Sequence, residues 1–162
     1  MIINITKAKQ IVGPQKFEGE YTPETSVLNR ENTNFNGPVK VLGTYEYGAD
    51  EIVFTGNVSF ALKTLCDRCG ADTEQSFNFK LKERFIKDSA ESDIYSFTGD
   101  KLDLSLAISE FIMINLPVQI LCTAKCKGLC EVCGKDLNSG KCKCKRESSN
   151  AFAVLKDIKK DN

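Results

Sequence analysis

Eight cysteines define the chemistry open to this 162-residue chain. They stand in short pairs: Cys66 with Cys69, Cys122 with Cys126, Cys130 with Cys133, and Cys142 with Cys144. Two residues between thiolates let a tight turn aim both sulfurs at one ion, at about 2.3 Å each for zinc. A glycine follows the pair at Gly70 and again at Gly134. Glycine accepts the left-handed backbone such a turn needs, and lets nearby amides point at sulfur. Repeated short pairs of this kind read as metal sites and not as scattered buried thiols. The chain has no histidine. That excludes Ser-His-Asp and Cys-His catalysis and leaves thiolate as the soft ligand, which favours zinc or an iron–sulfur cluster over magnesium or calcium. The usual ferredoxin spacings are absent, so the expected cofactor is Zn2+, one ion or two.

Spacing leaves the pairing open. A hairpin through Asn138-Ser139-Gly140 brings Cys142 and Cys144 back onto Cys130 and Cys133, in a closed four-cysteine site. The remaining four, Cys66, Cys69, Cys122 and Cys126, then form a second site between sheet and tail. The rival arrangement sets the two glycine-flanked turns on one ion, as in a zinc ribbon. A third has one zinc and several plain buried thiols. Local closure is favoured because its loop costs less entropy.

Between residues 122 and 146 lie seven basic residues and two acidic ones, a formal charge of +5. Lys125, Lys127, Lys135, Lys141, Lys143 and Arg146 form the candidate nucleic-acid or partner-binding set. Screening of thiolate charge accounts equally well for lysines there. No aromatic side chain is present in the stretch to stack on bases. Residues 88–110 are acidic instead, and read as a solvated loop and helix start.

The rest of the chain must position these groups. Residues 1–12 read as a first strand or short element. Residues 13–37 are weakly patterned. Val39, Val41, Tyr45 and Tyr47 alternate with polar or small neighbours, and Gly48-Ala49-Asp50 supplies a turn. Ile52, Phe54, Val58, Phe60 and Leu62 then recur at even positions. A period of two with a short gap predicts an antiparallel hairpin. A further strand runs through Phe77, Phe79 and Leu81 toward Phe85, with Cys66 and Cys69 in the connection before it. After a polar loop at 88–101, Leu104, Ala107, Ile108, Phe111 and Ile112 share one helical face, which Asp103 or Ser105 can cap and Leu116-Pro117 ends. The cysteine-rich stretch has too few large apolar residues for its own core, and a metal is the usual substitute. Phe152, Leu155 and Ile158 suggest a short C-terminal helix.

The expected fold is α+β: a largely antiparallel sheet or partial barrel, one main helix and a zinc-held C-terminal lobe. The expected division is an α+β body at 1–118, a cysteine-rich zinc-binding lobe at 119–147, and a C-terminal helix and tail at 148–162. No apolar run approaches the roughly 18 residues of a membrane helix. The N-terminus lacks the pattern of a signal peptide, so a reducing, cytoplasmic location is expected, without membrane partners.

With these residues laid out, the chain resembles the YceD family, the large ribosomal RNA subunit accumulation proteins of bacteria. Three places carry the likeness: Cys66-Asp67-Arg68-Cys69 leading to Glu83-Arg84-Phe85; Leu102-Asp103-Leu104-Ser105 leading to Leu116-Pro117; and Leu121-Cys122 through Cys126-Lys127-Gly128-Leu129-Cys130 and Cys133-Gly134-Lys135-Asp136-Leu137-Asn138 to Cys142 and Cys144. Gly70 and Glu131 depart from the family pattern, which commonly has leucine and proline there; neither removes a ligand. The resemblance implies a non-enzymatic ribosome biogenesis factor, needed for normal levels of large-subunit rRNA. It also implies a genomic link to a small zinc-ribbon protein of the large subunit. The expected partners are rRNA, a ribosomal protein or an assembly intermediate, and no small-molecule substrate. Two other functions stand beside it: a thiol oxidoreductase using Cys66 and Cys69, and a protein-interaction module with zinc only folding the tail.

Overall fold

A computed structural model of the chain describes residues 1–90 and 94–144. Strand β1 (Ile2–Asn4) leads directly into the short helix α1 (Ile5–Gln10). Then come β2 (Gln15–Tyr21), a 3-10 turn (Thr25–Leu28) and β3 (Asn34–Phe35). The long strands follow: β4 (Val39–Gly48), β5 (Glu51–Leu65) and β6 (Asp72–Lys87). Two short strands, β7 (Tyr95–Phe97) and β8 (Lys101–Asp103), precede the main helix α2 (Ser105–Asn115).

The main sheet is open, in the order β2-β4-β5-β6-β7, with β3 also on β5. Every pairing in it is antiparallel except β6 with β7. A separate two-stranded ribbon joins β1 to β8. The fold is therefore α+β with an antiparallel sheet and one main helix, and the sheet does not close into a barrel. Among the described residues no helix is long and apolar enough to cross a membrane.

Alternation decides which face is buried. Val39 and Val41 of β4, Ile52, Phe54, Val58 and Leu62 of β5, and Leu81 and Phe85 of β6 all point inward. Against them pack Ile3, Ile5, Leu102, Leu104, Ile108, Ile112 and Ile120. The helical face read from spacing is the one that packs: Leu104, Ala107, Ile108 and Ile112 are buried, and Phe111 is half-buried. The N-cap position of α2 is Leu104, neither Asp103 nor Ser105, and it has no side-chain cap; the Asp103 carboxylate just before it accepts the Ser105 amide at 2.9 Å. The turn between β4 and β5 is a two-residue hairpin, with Ala49 and Asp50 both at positive φ.

Three parts of the sequence reading change. Residues 1–12 hold a short helix as well as a strand. The weakly patterned region contains edge strand β2, whose alternation of Phe17, Gly19 and Tyr21 is diluted by glycine and charge. The polar loop contains β7, a three-residue strand too short to leave a periodic signal. The suggested C-terminal helix lies outside the described residues.

Gly43 and Gly56 stand directly opposite each other on β4 and β5. A Cβ on Gly56 would lie 2.6 Å from the Leu42 carbonyl and 2.9 Å from the Gly43 Cα. The Phe54 ring covers this pair and meets Phe17 edge-on at 5.7 Å. Gly56→Ala should therefore force β4 and β5 apart and cost about 2 kcal/mol, as overpacking does. Thermal unfolding would register that as a midpoint several degrees lower.

Candidate metal centres

The turn from β5 into β6 carries the first cysteine pair. Gly70 donates its N–H to the Cys66 carbonyl at 2.8 Å, and Cys66 donates to the Ala71 carbonyl at 2.8 Å. The second Cys-x-x-Cys turn repeats the pattern. Gly134 donates to the Cys130 carbonyl at 2.8 Å, and Cys130 donates to the Lys135 carbonyl at 2.8 Å. Gly70 and Gly134 have φ of +72° and +70°, the left-handed conformation that glycine permits at no cost. Each turn thereby points two sulfurs to one side.

Four sulfurs then meet at each turn. Cys66, Cys69, Cys122 and Cys126 form one group, and Cys130, Cys133, Cys142 and Cys144 the other. Within each group all sulfurs lie within 4.8 Å of one another. Cys66 and Cys126 sulfurs are 3.8 Å apart, Cys69 and Cys122 are 3.7 Å apart, and Cys130 and Cys142 are 3.3 Å apart. A disulfide would need about 2.05 Å, and all eight are free thiols. A tetrahedron with sulfur about 2.3 Å from a central ion has edges of about 3.8 Å, so these groups fit a four-coordinate ion of zinc's size. Either group could hold a metal ion. The zinc-ribbon arrangement, with Cys66, Cys69, Cys130 and Cys133 on one ion, is not how the sulfurs are grouped.

The two centres differ in setting. Cys66 and Cys126 are buried, each 2% exposed, in the joint between sheet and tail. Cys133 and Cys144 are exposed, at the tip of the tail. Burial opposes ionisation of Cys66, but backbone amides of Cys122, Arg68 and Cys69 aimed at its sulfur prevail and bring its pKa down to about 6. The amides of Cys133 and Val132, with the Cys142 thiol, bring Cys130 down to about 6. Neighbouring thiols move the other way. At Cys69 the Ala71 amide favours the thiolate, yet burial and the sulfurs of Cys66, Cys126 and Cys122 push it up to about 12. At Cys144 the Cys133 sulfur, burial and the nearby Cys130 do the same, to about 12. Crowded thiols cannot all ionise unless a cation sits among them.

Several residues that position the cysteines were not among the candidate site residues of the sequence. Asp67 accepts the Ile120 amide and a two-oxygen contact from Arg30 at 2.7 Å. Its own amide donates to the Ile120 carbonyl at 3.0 Å. The Ile120 amide first, and Arg30 with it, hold the Asp67 carboxyl below its ordinary range. Arg30 also donates to the carbonyls of Pro117 and Val118 at 3.2 Å. This network lays the 117–122 segment against the first turn. Asn138 ties the centres together: it accepts the Lys127 amide at 2.8 Å and donates to the Cys126 sulfur at 3.4 Å. Arg68 donates to the Cys126 carbonyl at 2.6 Å, and its side chain lies where a Cβ on Gly128 would be. Arg30 has no spacing signal at all, because its role exists only once the chain has folded back. Asn138, Arg68 and Asp67 lie within the cysteine motifs, which was the available hint.

Of the basic set, Lys125, Lys127, Lys135, Lys141 and Lys143 are all exposed around the tail's cysteines. Arg146 lies outside the described residues.

These features define a class: an open antiparallel α+β body with one four-cysteine centre at its hairpin end and a second on the tail beyond. The chain belongs to the family described as large ribosomal RNA subunit accumulation protein YceD, whose model matches residues 54–159. It is 28% identical over 129 residues to YlbN of Bacillus subtilis, a protein named as uncharacterized, covering 75% of each chain. It is 25% identical over 118 residues to the chloroplastic large ribosomal RNA subunit accumulation protein YCED homolog 1 of Arabidopsis thaliana, covering 52% of this chain and 37% of that one. The same-named protein of Zea mays is 33% identical over 59 residues, covering 36% of this chain and 20% of that one. The chain thus spans well under half of the plant relatives. No solved structure matches it.

Elemental analysis of the reduced protein should find two bound divalent ions per chain. Cys122→Ser should remove one and loosen the joint, lowering the unfolding midpoint on the order of 10 °C, or about 3 kcal/mol. Cys142→Ser should also remove one, yet leave the main transition of the sheet nearly unmoved.

Proposed function

We propose that this chain is a non-enzymatic factor in the accumulation of large-subunit rRNA, acting by presenting a zinc-built basic lobe to RNA phosphates. The observation that carries the reading is the exposure of Lys125, Lys127, Lys135, Lys141 and Lys143, interleaved with the cysteines of residues 122–144, in a chain of the YceD family. Zinc is the ion assigned to both centres, because the ligands are four thiolates and the chain has no histidine. It would hold the lysine-bearing loops in place, doing the work that a core does elsewhere. Arg146 joins the same basic set. Free thiols at all eight positions suit a reducing compartment such as the cytoplasm.

The non-enzymatic reading is supported by the cysteine geometry. Cys66 and Cys69 stand in one closed group with Cys122 and Cys126, which leaves no open position for a substrate.

The test is binding of a large-subunit rRNA fragment by the zinc-loaded protein across a salt series. Counterion release makes the logarithm of affinity fall linearly with the logarithm of salt concentration. Each lysine among the five changed to alanine should weaken binding and reduce that slope by about one unit per lost phosphate contact. An unchanged slope in the fivefold variant would remove the basic lobe from the account. Retention of a protein partner after ribonuclease treatment, with no RNA affinity, would favour the protein-interaction reading instead.

A further inference from the structure

The long hairpin leaves one side of the sheet open. Strand β6 has a second neighbour only at Phe85, Ile86 and Lys87, where β7 pairs with it. From Asp72 to Arg84 its outer edge meets no strand among the described residues. That is about 40 Å of unpaired ladder. Such an edge templates pairing with another strand, and proteins commonly guard it with charge.

The guard here is not of one sign. The exposed residues on the outer face begin acidic with Asp72 and Glu74, pass through Ser76 and Asn78, and end basic with Lys80, Lys82 and Arg84. About Asn78 the two outer pairs of positions, Asp72 with Arg84 and Glu74 with Lys82, are opposite in charge, and Lys80 mirrors the neutral Ser76. A strand of that kind is complementary to itself run backwards. A parallel copy would oppose acid to acid and base to base.

We propose that the β6 edge pairs antiparallel with the β6 edge of a second copy of this chain, about a two-fold axis at Asn78, joining two sheets into one. In this register Glu74 of one copy faces Lys82 of the other, and Asp72 faces Arg84. The symmetry makes each contact twice. On the inner face, Phe77 of one copy meets Phe79 of the other. That extends an existing ladder in which Phe60 and Phe77 stack at 5.3 Å, and Phe77 and Phe79 at 5.8 Å. Phe77 and Phe79 are only half-buried in the single chain. Cross-strand aromatic and opposite-charge pairs are the contacts that stabilise a sheet seam. An acidic peptide would satisfy only the basic half of the edge, whereas a second copy satisfies both halves.

Arg84 also reaches Glu51, so the test rests on Glu74 and Lys82. Glu74 takes the Asn36 amide on Oε1 at 2.6 Å, which leaves Oε2 for a lysine. Sedimentation of the metal-loaded full chain over a concentration series should show a reversible monomer–dimer equilibrium. Glu74→Lys alone and Lys82→Glu alone should each self-associate about tenfold more weakly, because like charges then meet twice across the seam. An equal mixture of the two variants should dimerise as the unaltered chain does, since one chain then carries lysine at both positions and the other glutamate. Misfolding cannot produce that rescue. Amide exchange along Thr73–Arg84 should slow as the concentration of unaltered chain rises. A chain that stays monomeric at every concentration overturns the proposal. So do variants that dimerise unaltered, a mixture that fails to recover, or protection of the edge by an added acidic peptide in a chain that remains monomeric. The readout is association alone, so its failure would leave the RNA reading standing.

Discussion

The contact on which the rest depends is the meeting of Cys66 and Cys69 with Cys122 and Cys126. The first pair sits in a tight turn at the far end of the longest hairpin. The second comes from a segment that has left the main helix and has almost no core of its own. Bringing them together closes a loop of more than fifty residues, at an entropic cost that grows slowly with length. The Arg30–Asp67–Ile120 network holds the returning segment in register, and the buried sulfurs lock it. The described residues beyond Cys126, 127–144, are tied to this joint. Asn138 shows the dependence directly, because one side chain bonds both the Lys127 amide and the Cys126 sulfur.

The body serves that joint in an economical way. Its core runs along nearly the whole of β5, from Ile52 and Phe54 to Leu62, under α2 residues Ile108 and Ile112. The burial continues through Thr64 to Cys66, so the cysteine turn at the end of the β5–β6 hairpin adjoins the core. The close approach of Gly43 and Gly56 lets β4 and β5 nestle together beneath Phe54. The same long hairpin exposes the β6 edge. The hairpin that brings Cys66 and Cys69 to the returning segment therefore also leaves, among the described residues, most of one β6 edge without a neighbouring strand.

Much of this was legible along the chain. The hairpins could be read because apolar residues repeat every second position on a half-buried sheet, and Ala49-Asp50 marks the reversal. Helix α2 could be read because its buried face repeats at three and four. Strand β2 could not, because Gly19 and the charges at Lys16, Glu18 and Glu20 blur its alternation. Strand β7 could not, because three residues carry no period. Arg30 could not, because nothing local distinguishes an arginine that will later bond to Asp67.

By itself, the sequence determined the donor chemistry. A chain with eight paired cysteines and no histidine offers thiolate sites, and the glycines after two of the pairs dictate turns that present sulfur to one side. Which pairs share a centre was a tertiary decision. Chain spacing ranks partners by loop entropy alone, and entropy does not specify where a strand ends or where a helix returns. The sheet's register set the first turn beside Ile120, and only that placement divided the eight sulfurs into a buried joint and an exposed tip.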